Sequence, residues 1–252
     1  MKKFLWAGVL ALLAFGTAGE GTGARAATVP VAVAANFTEP AKELARLFHD
    51  RTGNDVVLSF GASGNFYTQI ANGAPFEVFL AADADRPTKA EAAGLAVPGS
   101  RFTYAIGTLV LWSKDPKLVD DKGEVLRRGG FAHLSIGDPK LAPYGAAAVQ
   151  TLQKLGLYDQ LKPKIVQGAS INQAFQFVAT GNAELGFVAL SQVVNEPGSR
   201  WVVPAALHSE IAQQAVLLKT GANDPVAKAF LDLLKSKPGL AIIHKYGYAT
   251  PE

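Results

Sequence analysis

An α/β architecture in two lobes is predicted by two features of the chain. Short runs rich in β-branched and aromatic residues alternate with stretches of helical periodicity, as in parallel strands joined by helices. Two strands of similar character, at 109–112 and 215–218, enclose a segment with strands and helices of its own. The chain can leave a first lobe near Gly107, build a second, and return near Gln214. That division puts 27–107 and 215–252 in lobe 1 and 108–214 in lobe 2, with a cleft between them. A single doubly wound sheet is the alternative that the same elements allow.

The elements follow in order. Residues 29–34 read as an apolar strand, and 40–52 as an amphipathic helix with Ala41, Leu44, Leu47 and Phe48 turned inward. A strand is expected at 55–60, a helix at 65–72 ended by Gly73, and a buried strand at 78–82. Further strands are expected at 108–112, 134–136, 185–188 and 215–218. Helices are expected at 146–155, 171–180, 224–235 and 239–246. No internal repeat, low-complexity tract or long flexible linker interrupts them.

Composition narrows the function. Lys2 and Lys3 precede an apolar run from Phe4 to Phe15, and Ala24-Arg25-Ala26 fits a small-x-small cleavage site, so 1–26 reads as a signal peptide. The run is shorter than the roughly 20 apolar residues of a spanning helix. Removing 1–26 takes away Lys2, Lys3 and Arg25 against Glu20, and the formal charge drops from +3 to +1. A nucleic-acid footprint is therefore not expected. The chain has no cysteine, which excludes thiol nucleophiles, thiolate metal sites and a lipidated cysteine. A freely diffusing periplasmic protein, monomeric and without a cofactor, is the expectation.

Four loops carry the functional signal, each leading into a helix start, where unpaired N–H groups and the positive end of the helix dipole suit an anion. Ala34-Ala35-Asn36-Phe37 offers a close backbone approach and an amide; Asn36 as a simple helix cap is the alternative. Phe60-Gly61-Ala62-Ser63-Gly64-Asn65 offers glycines for an anion-cradling turn and the Ser63 hydroxyl, against an ordinary serine cap. A nucleophile elbow would need glycine where Asn65 stands, and a phosphate loop would need Gly-Lys-Ser/Thr. In Ala142-Pro143-Tyr144-Gly145 the Tyr144 ring packs while its N–H faces the cleft. At Ala169-Ser170-Ile171 the serine caps the helix and leaves the Ile171 N–H free. All four loops offer neutral donors and no lysine or arginine.

The chain resembles the molybdate-binding periplasmic proteins of ABC transporters. The likeness runs, in order, through ValAlaAlaAsnPhe, PheGlyAlaSerGly, AsnGlyAlaProPheGluValPheLeuAlaAlaAsp, GlySerArgPheThrTyrAlaIleGlyThrLeuValLeuTrp, AlaProTyrGlyAlaAla, GlyAsnAlaGluLeuGlyPheValAlaLeuSer and the closing LysTyrGlyTyr. It implies the type II periplasmic-binding-protein fold and a molybdate or tungstate ion delivered to a membrane permease. It further implies that Asn36 donates through backbone and side chain, Ser63 through N–H and hydroxyl, and Tyr144 and Ile171 through backbone N–H. The chain departs from the family at Ala35, where some members carry a hydroxyl, and at Ala189, where many carry a ligand-contacting tyrosine. Asn172 or Tyr67 is a candidate replacement for that phenol.

Other candidates have simpler readings. Asp83 and Asp85 read as helix-start caps rather than metal ligands. Arg101 is expected to brace the interlobe crossing, and His49, His133, His208 and His244 to be surface or helix-end residues without metal-ligand spacing. The functional rivals are a receptor for another tetrahedral oxyanion such as sulfate, and a secreted hydrolase or transferase on a two-lobed fold.

Overall fold

The computed structural model describes residues 28–251; the predicted signal peptide at 1–26 lies outside the described residues. Ten strands form two five-stranded mixed sheets, so the single doubly wound sheet does not occur. The first sheet contains β1 (Thr28–Ala34), β2 (Asp55–Gly61), β3 (Val78–Leu80), β4 (Phe102–Gly107) and, from the far end of the chain, β10 (Ile211–Leu217). The second contains β5 (Leu109–Ser113), β6 (Leu134–Gly137), β7 (Ile165–Gly168), β8 (Leu185–Ala189) and β9 (Ser199–Val202). Their spatial orders are β2-β1-β3-β10-β4 and β7-β6-β8-β5-β9. In each, four strands run in one direction and one, β10 or β5, runs against them. The chain passes between sheets at Thr108, and β10 pairs with β4 from Ile211 onward.

Helices cover both sheets. Those of the first lobe are α1 (Thr38–Thr52), α2 (Ser63–Ala71) and α3 (Asp85–Ala92). The second lobe carries α4 (Val125–Arg128), α5 (Pro143–Lys154), α6 (Tyr158–Leu161), α7 (Ile171–Ala179) and α8 (Leu190–Val193). Back in the first lobe come α9 (Pro225–Lys235) and α10 (Lys237–Lys245).

Alternation along β1 explains how one strand serves two cores. Val29, Val31 and Val33 face Leu44 and Phe48 of α1, while Ala32 faces Phe66 and Ile70 of α2. Each fully buried Val, Leu or Phe side chain contributes about 1.5–3 kcal/mol. In the second lobe Leu109 and Leu111 of β5 face one core, and Val110 and Trp112 the other. Helix ends follow local chemistry. Gly53 takes φ 69° after α1 and returns its N–H to His49. Asp224 and Ser236 cap α9 and α10, each followed by a proline in the first turn.

Arg101 donates to Glu91 of α3 and to Gln214 of β10, the position near which the chain was expected to return. His208, 8% exposed, ends the 3₁₀ turn Ala205–Leu207, a helix-end position. Asp83 does cap, accepting the Arg86 N–H at 2.9 Å, while Asp85 pairs with Lys89. No helix among the described residues is long and apolar enough to cross a membrane.

Candidate functional site

The two sheets place their ligand-facing loops equivalently. Strands β1 and β2 lead to Asn36 and Ser63; β6 and β7, in the corresponding positions of the second sheet, lead to Tyr144 and Ile171. All four residues line one small void between the lobes and are at most 3% exposed. The void is small, about 10 Å³, far below the 300–1,000 Å³ usual for organic ligands. None of the residues lining it carries a formal charge, and none is histidine.

The local chain explains why donors remain free there. The 3₁₀ turn Ala35–Phe37 opens after Ala34, α2 after Ala62 and α5 after Ala142, and no side chain caps any of these three starts. Serine, threonine, aspartate or asparagine would ordinarily occupy such positions. Alanine leaves the first N–H groups without an internal acceptor. At α7 the Ser170 hydroxyl caps, but it accepts from Gln173 and leaves the first-position N–H of Ile171 alone. Four partly positive helix starts thus meet at one void without a buried cation.

The side chains divide into three roles. Ser63 Oγ accepts the Ala82 N–H at 2.9 Å, which fixes the oxygen and leaves the hydroxyl proton free to donate. It is therefore no cap, and the residues that line the void with it include no carboxylate, histidine or lysine. The Asn36 side chain does not serve as expected. Its Nδ2 donates to Gln213 Oε1 at 2.7 Å and to Tyr248 Oη at 2.9 Å, so the backbone N–H is the group left for a ligand. The Tyr144 phenol lies away from that role too, accepting from Gln213 Nε2 at 3.3 Å while its ring packs in the core. Neither Asn172 nor Tyr67 lines the void, and the Ala189 N–H is taken by Gln192 Oε1.

Sequence reasoning missed the polar layer behind the void. Tyr104, Gln213 and Tyr248 join Asn36 there, all at most 5% exposed. A bulge between Gln213 and Gln214 breaks the β10 register. Gln213 bonds Asn36 and Tyr104 within the layer, whereas Gln214 bonds Arg101 and Thr103. Burial pushes the Tyr248 phenol up to about 12 and those of Tyr104 and Tyr144 well above their ordinary value. All three hydroxyls therefore keep their protons. The one available signal was a polar pair, Gln213-Gln214, inside an otherwise apolar strand.

The lobes are closed on each other. Gly64 N–H donates to the Leu141 carbonyl at 3.0 Å and Arg86 Nη2 to the Lys140 carbonyl at 2.8 Å. A Cβ on Gly64 would come within 3.0 Å of Leu141 Cα, so only glycine permits this approach without backbone movement. At the crossing, a Cβ on Gly107 would lie 2.1 Å from Tyr144 Oη.

An enclosed interlobe void lined by neutral donors is the mark of a two-lobed receptor for a small solute. The chain belongs to the family of bacterial extracellular solute-binding proteins, which residues 29–249 match. It is similar to the molybdate-binding protein ModA of Rhodobacter capsulatus, 62% identical over 228 residues, with 90% of each chain covered. It is also similar to the molybdate-binding protein ModA of Azotobacter vinelandii, 58% identical over 89% of this chain and 91% of that one. The structure of an Azotobacter vinelandii periplasmic molybdate-binding protein superposes with a TM-score of 0.87 at 46% identity, over 89% of this chain and all of that one. The sulfate-binding protein SubI from Mycobacterium tuberculosis H37Rv shares the architecture alone, at a TM-score of 0.74 and 14% identity.

Proposed function

We propose that the protein captures molybdate, and tungstate with it, between its lobes outside the cytoplasm and delivers the ion to the permease of an ABC transporter. The observation that carries this reading is the donor-only void: backbone N–H groups of Asn36, Ser63, Tyr144 and Ile171 with the Ser63 hydroxyl, and no charged side chain. The similarity to two proteins named for molybdate binding supports the choice of ion.

The chemistry selects by protonation and by size. A fully ionised tetrahedral oxyanion accepts from every donor. Hydrogenphosphate brings a proton, and the lining supplies no carboxylate to take it. An unpaired buried polar group costs about 1–3 kcal/mol, so that mismatch is penalised. Sulfate has the right charge but is smaller, and longer donor distances disfavour it.

Binding and closure are coupled because the donors come from both lobes. The first lobe comprises 28–107 and the return from Ile211, since 211–214 already pair with β4; the second comprises the residues between. The ion bridges them and shifts the population toward the closed form, which the permease reads. The protein works as a monomer in the periplasm and needs no cofactor or catalytic group. Titration calorimetry against molybdate, tungstate, sulfate and phosphate tests the reading. One-to-one binding of molybdate and tungstate, with sulfate and phosphate far weaker, is expected. Sulfate binding as tight as molybdate would overturn the choice of ion.

A further inference from the structure

Asn36 is held through a ring of hydrogen bonds that passes through the other lobe. Its Nδ2 donates to Tyr248 Oη at 2.9 Å, Tyr248 Oη donates to Ser191 Oγ at 2.9 Å, and Ser191 Oγ donates to the Asn36 carbonyl at 2.8 Å. Tyr248 Oη also lies 2.8 Å from the Asn36 carbonyl, so its single proton can go to Asn36 within the lobe or to Ser191 across it, and the three-membered ring runs in one direction when it goes to Ser191. Asn36 and Tyr248 belong to the first lobe. Ser191 sits on α8, directly after β8 of the second sheet. All three are buried, and neither Ser191 nor Tyr248 lines the void.

We propose that Ser191 is a closure latch: its hydroxyl completes the Asn36–Tyr248 ring only when the lobes meet, and so prolongs residence of the bound ion without touching it. This rests on the interlobe binding proposed above. The geometry supports it in two ways. The ring closes on the residue whose N–H faces the void, so ligand position and lobe contact are fixed together. In an open form Tyr248 keeps the Asn36 carbonyl as acceptor and Ser191 turns to water, so loss of the ring leaves no group of the open state unpaired. Hydrogen bonds linked in sequence also strengthen one another, so breaking one member weakens the rest. Ser191 is thus a positioning residue that acts through Asn36.

The test pairs ligand kinetics with lobe distance. Ser191→Ala is expected to raise the molybdate dissociation rate about 3- to 10-fold, the worth of one neutral hydrogen bond, with the association rate nearly unchanged. Ser191→Thr, which keeps the hydroxyl, is expected to restore the slow rate. Combined with Tyr248→Phe, Ser191→Ala is expected to cost less than the product of the two single effects, because both break one ring. The chain has no cysteine, so Lys42→Cys and Gln176→Cys, exposed positions on opposite sides of the groove between α1 and α7, can be spin-labelled uniquely. Without ligand, Ser191→Ala is expected to shift the label distances toward the open form. An unchanged dissociation rate together with an unchanged distance distribution would overturn the latch. Failure of the wild type to bind molybdate would instead overturn the proposed ion, and the ligand-free distances would still decide the latch.

Discussion

The two lobes share one strand order but equip it differently. In the first, the loops after β1 and β2 present polar side chains, Asn36 and Ser63; in the second, the matching loops after β6 and β7 present Tyr144 and Ile171. The second pair put their side chains into the core and keep only main-chain N–H groups for the void. Within the first pair the roles split again. Ser63 retains a hydroxyl proton toward the void, whereas Asn36 spends its side chain on Gln213 and Tyr248. The lesson is that a loop's backbone does the presenting in both lobes, and side chains decide how rigidly it is held. The contrast extends to the carboxylates that precede β3 and β8. Glu77 lies beside Asp224 with an unpartnered buried oxygen, while Glu184 accepts N–H groups from Ala132 and His133.

The largest expected effect is on the second lobe, which offers the void main-chain donors alone. Ile171 is the first residue of α7, where proline fits, and Ser170 before it is already extended at φ −147°, ψ 168°. Ile171→Pro therefore deletes one N–H with little backbone strain. Molybdate affinity is expected to fall roughly 10- to 150-fold, the range for a hydrogen bond to a charged group. Ile171→Val, which keeps the N–H, is expected to stay within a few-fold. Equal losses from the two variants would show that the side chain, not the amide, is what matters.

In the first lobe, Ser63→Ala is expected to cost about as much at its lower end, roughly tenfold, since it removes the hydroxyl donor and strands the Ala82 N–H. Tyr144→Phe is expected to change affinity by no more than about threefold, because it loses a long bond to Gln213 and a contact with the Tyr248 hydroxyl, both behind the void. A drop as large as that of Ser63→Ala would place the phenol on the ion. Asn36→Ala is expected to show mainly in folding. It removes the partner of two buried groups, so the melting temperature should fall by several degrees at about 2–4 °C per kcal/mol.

The elements were legible in the sequence to different degrees. Long amphipathic segments such as 40–52 and 224–235 announced themselves, because a helix that buries one face must repeat its apolar residues every three or four positions. Strands β4, β7 and β9 and the short helices did not. Strand β7, with its half-exposed IleValGlnGly, has too few apolar residues to show a period. The four candidate loops stood out because each leads into the first turn of a helix. The partners of the Asn36 side chain, Gln213 and Tyr248, were not legible because they stand 177 and 212 residues away. No local pattern reports a contact made by the returning chain.

The smallest expected effects separate the two carboxylates by pH. Burial, together with the neighbouring Asp224, raises Glu77 to about 7, above its ordinary 4.5. Its contribution is then present below about 4.5 and lost as the pH rises through 7. Glu77→Gln should therefore gain stability relative to wild type between pH 5 and pH 8, read by thermal melts. At Glu184 burial works upward, but the N–H bonds from His133 and Ala132 prevail and hold the carboxyl below 4.5. Its contribution is present above 4.5 and lost as the pH falls through the lowered value. Glu184→Gln should melt below wild type at pH 7 and approach it at strongly acidic pH. Identical pH profiles for the two variants would remove the difference drawn between them.

The most direct test of the central claim is a crystal structure with molybdate, its metal located by anomalous diffraction. The account predicts one molybdenum centre between the lobes, its oxygens at roughly 2.7–3.2 Å from the N–H groups of Asn36, Ser63, Tyr144 and Ile171, with Ser63 Oγ also in contact. A centre outside this void, or an ion held by the Asn36 side chain or the Tyr144 phenol in place of those amides, would contradict it.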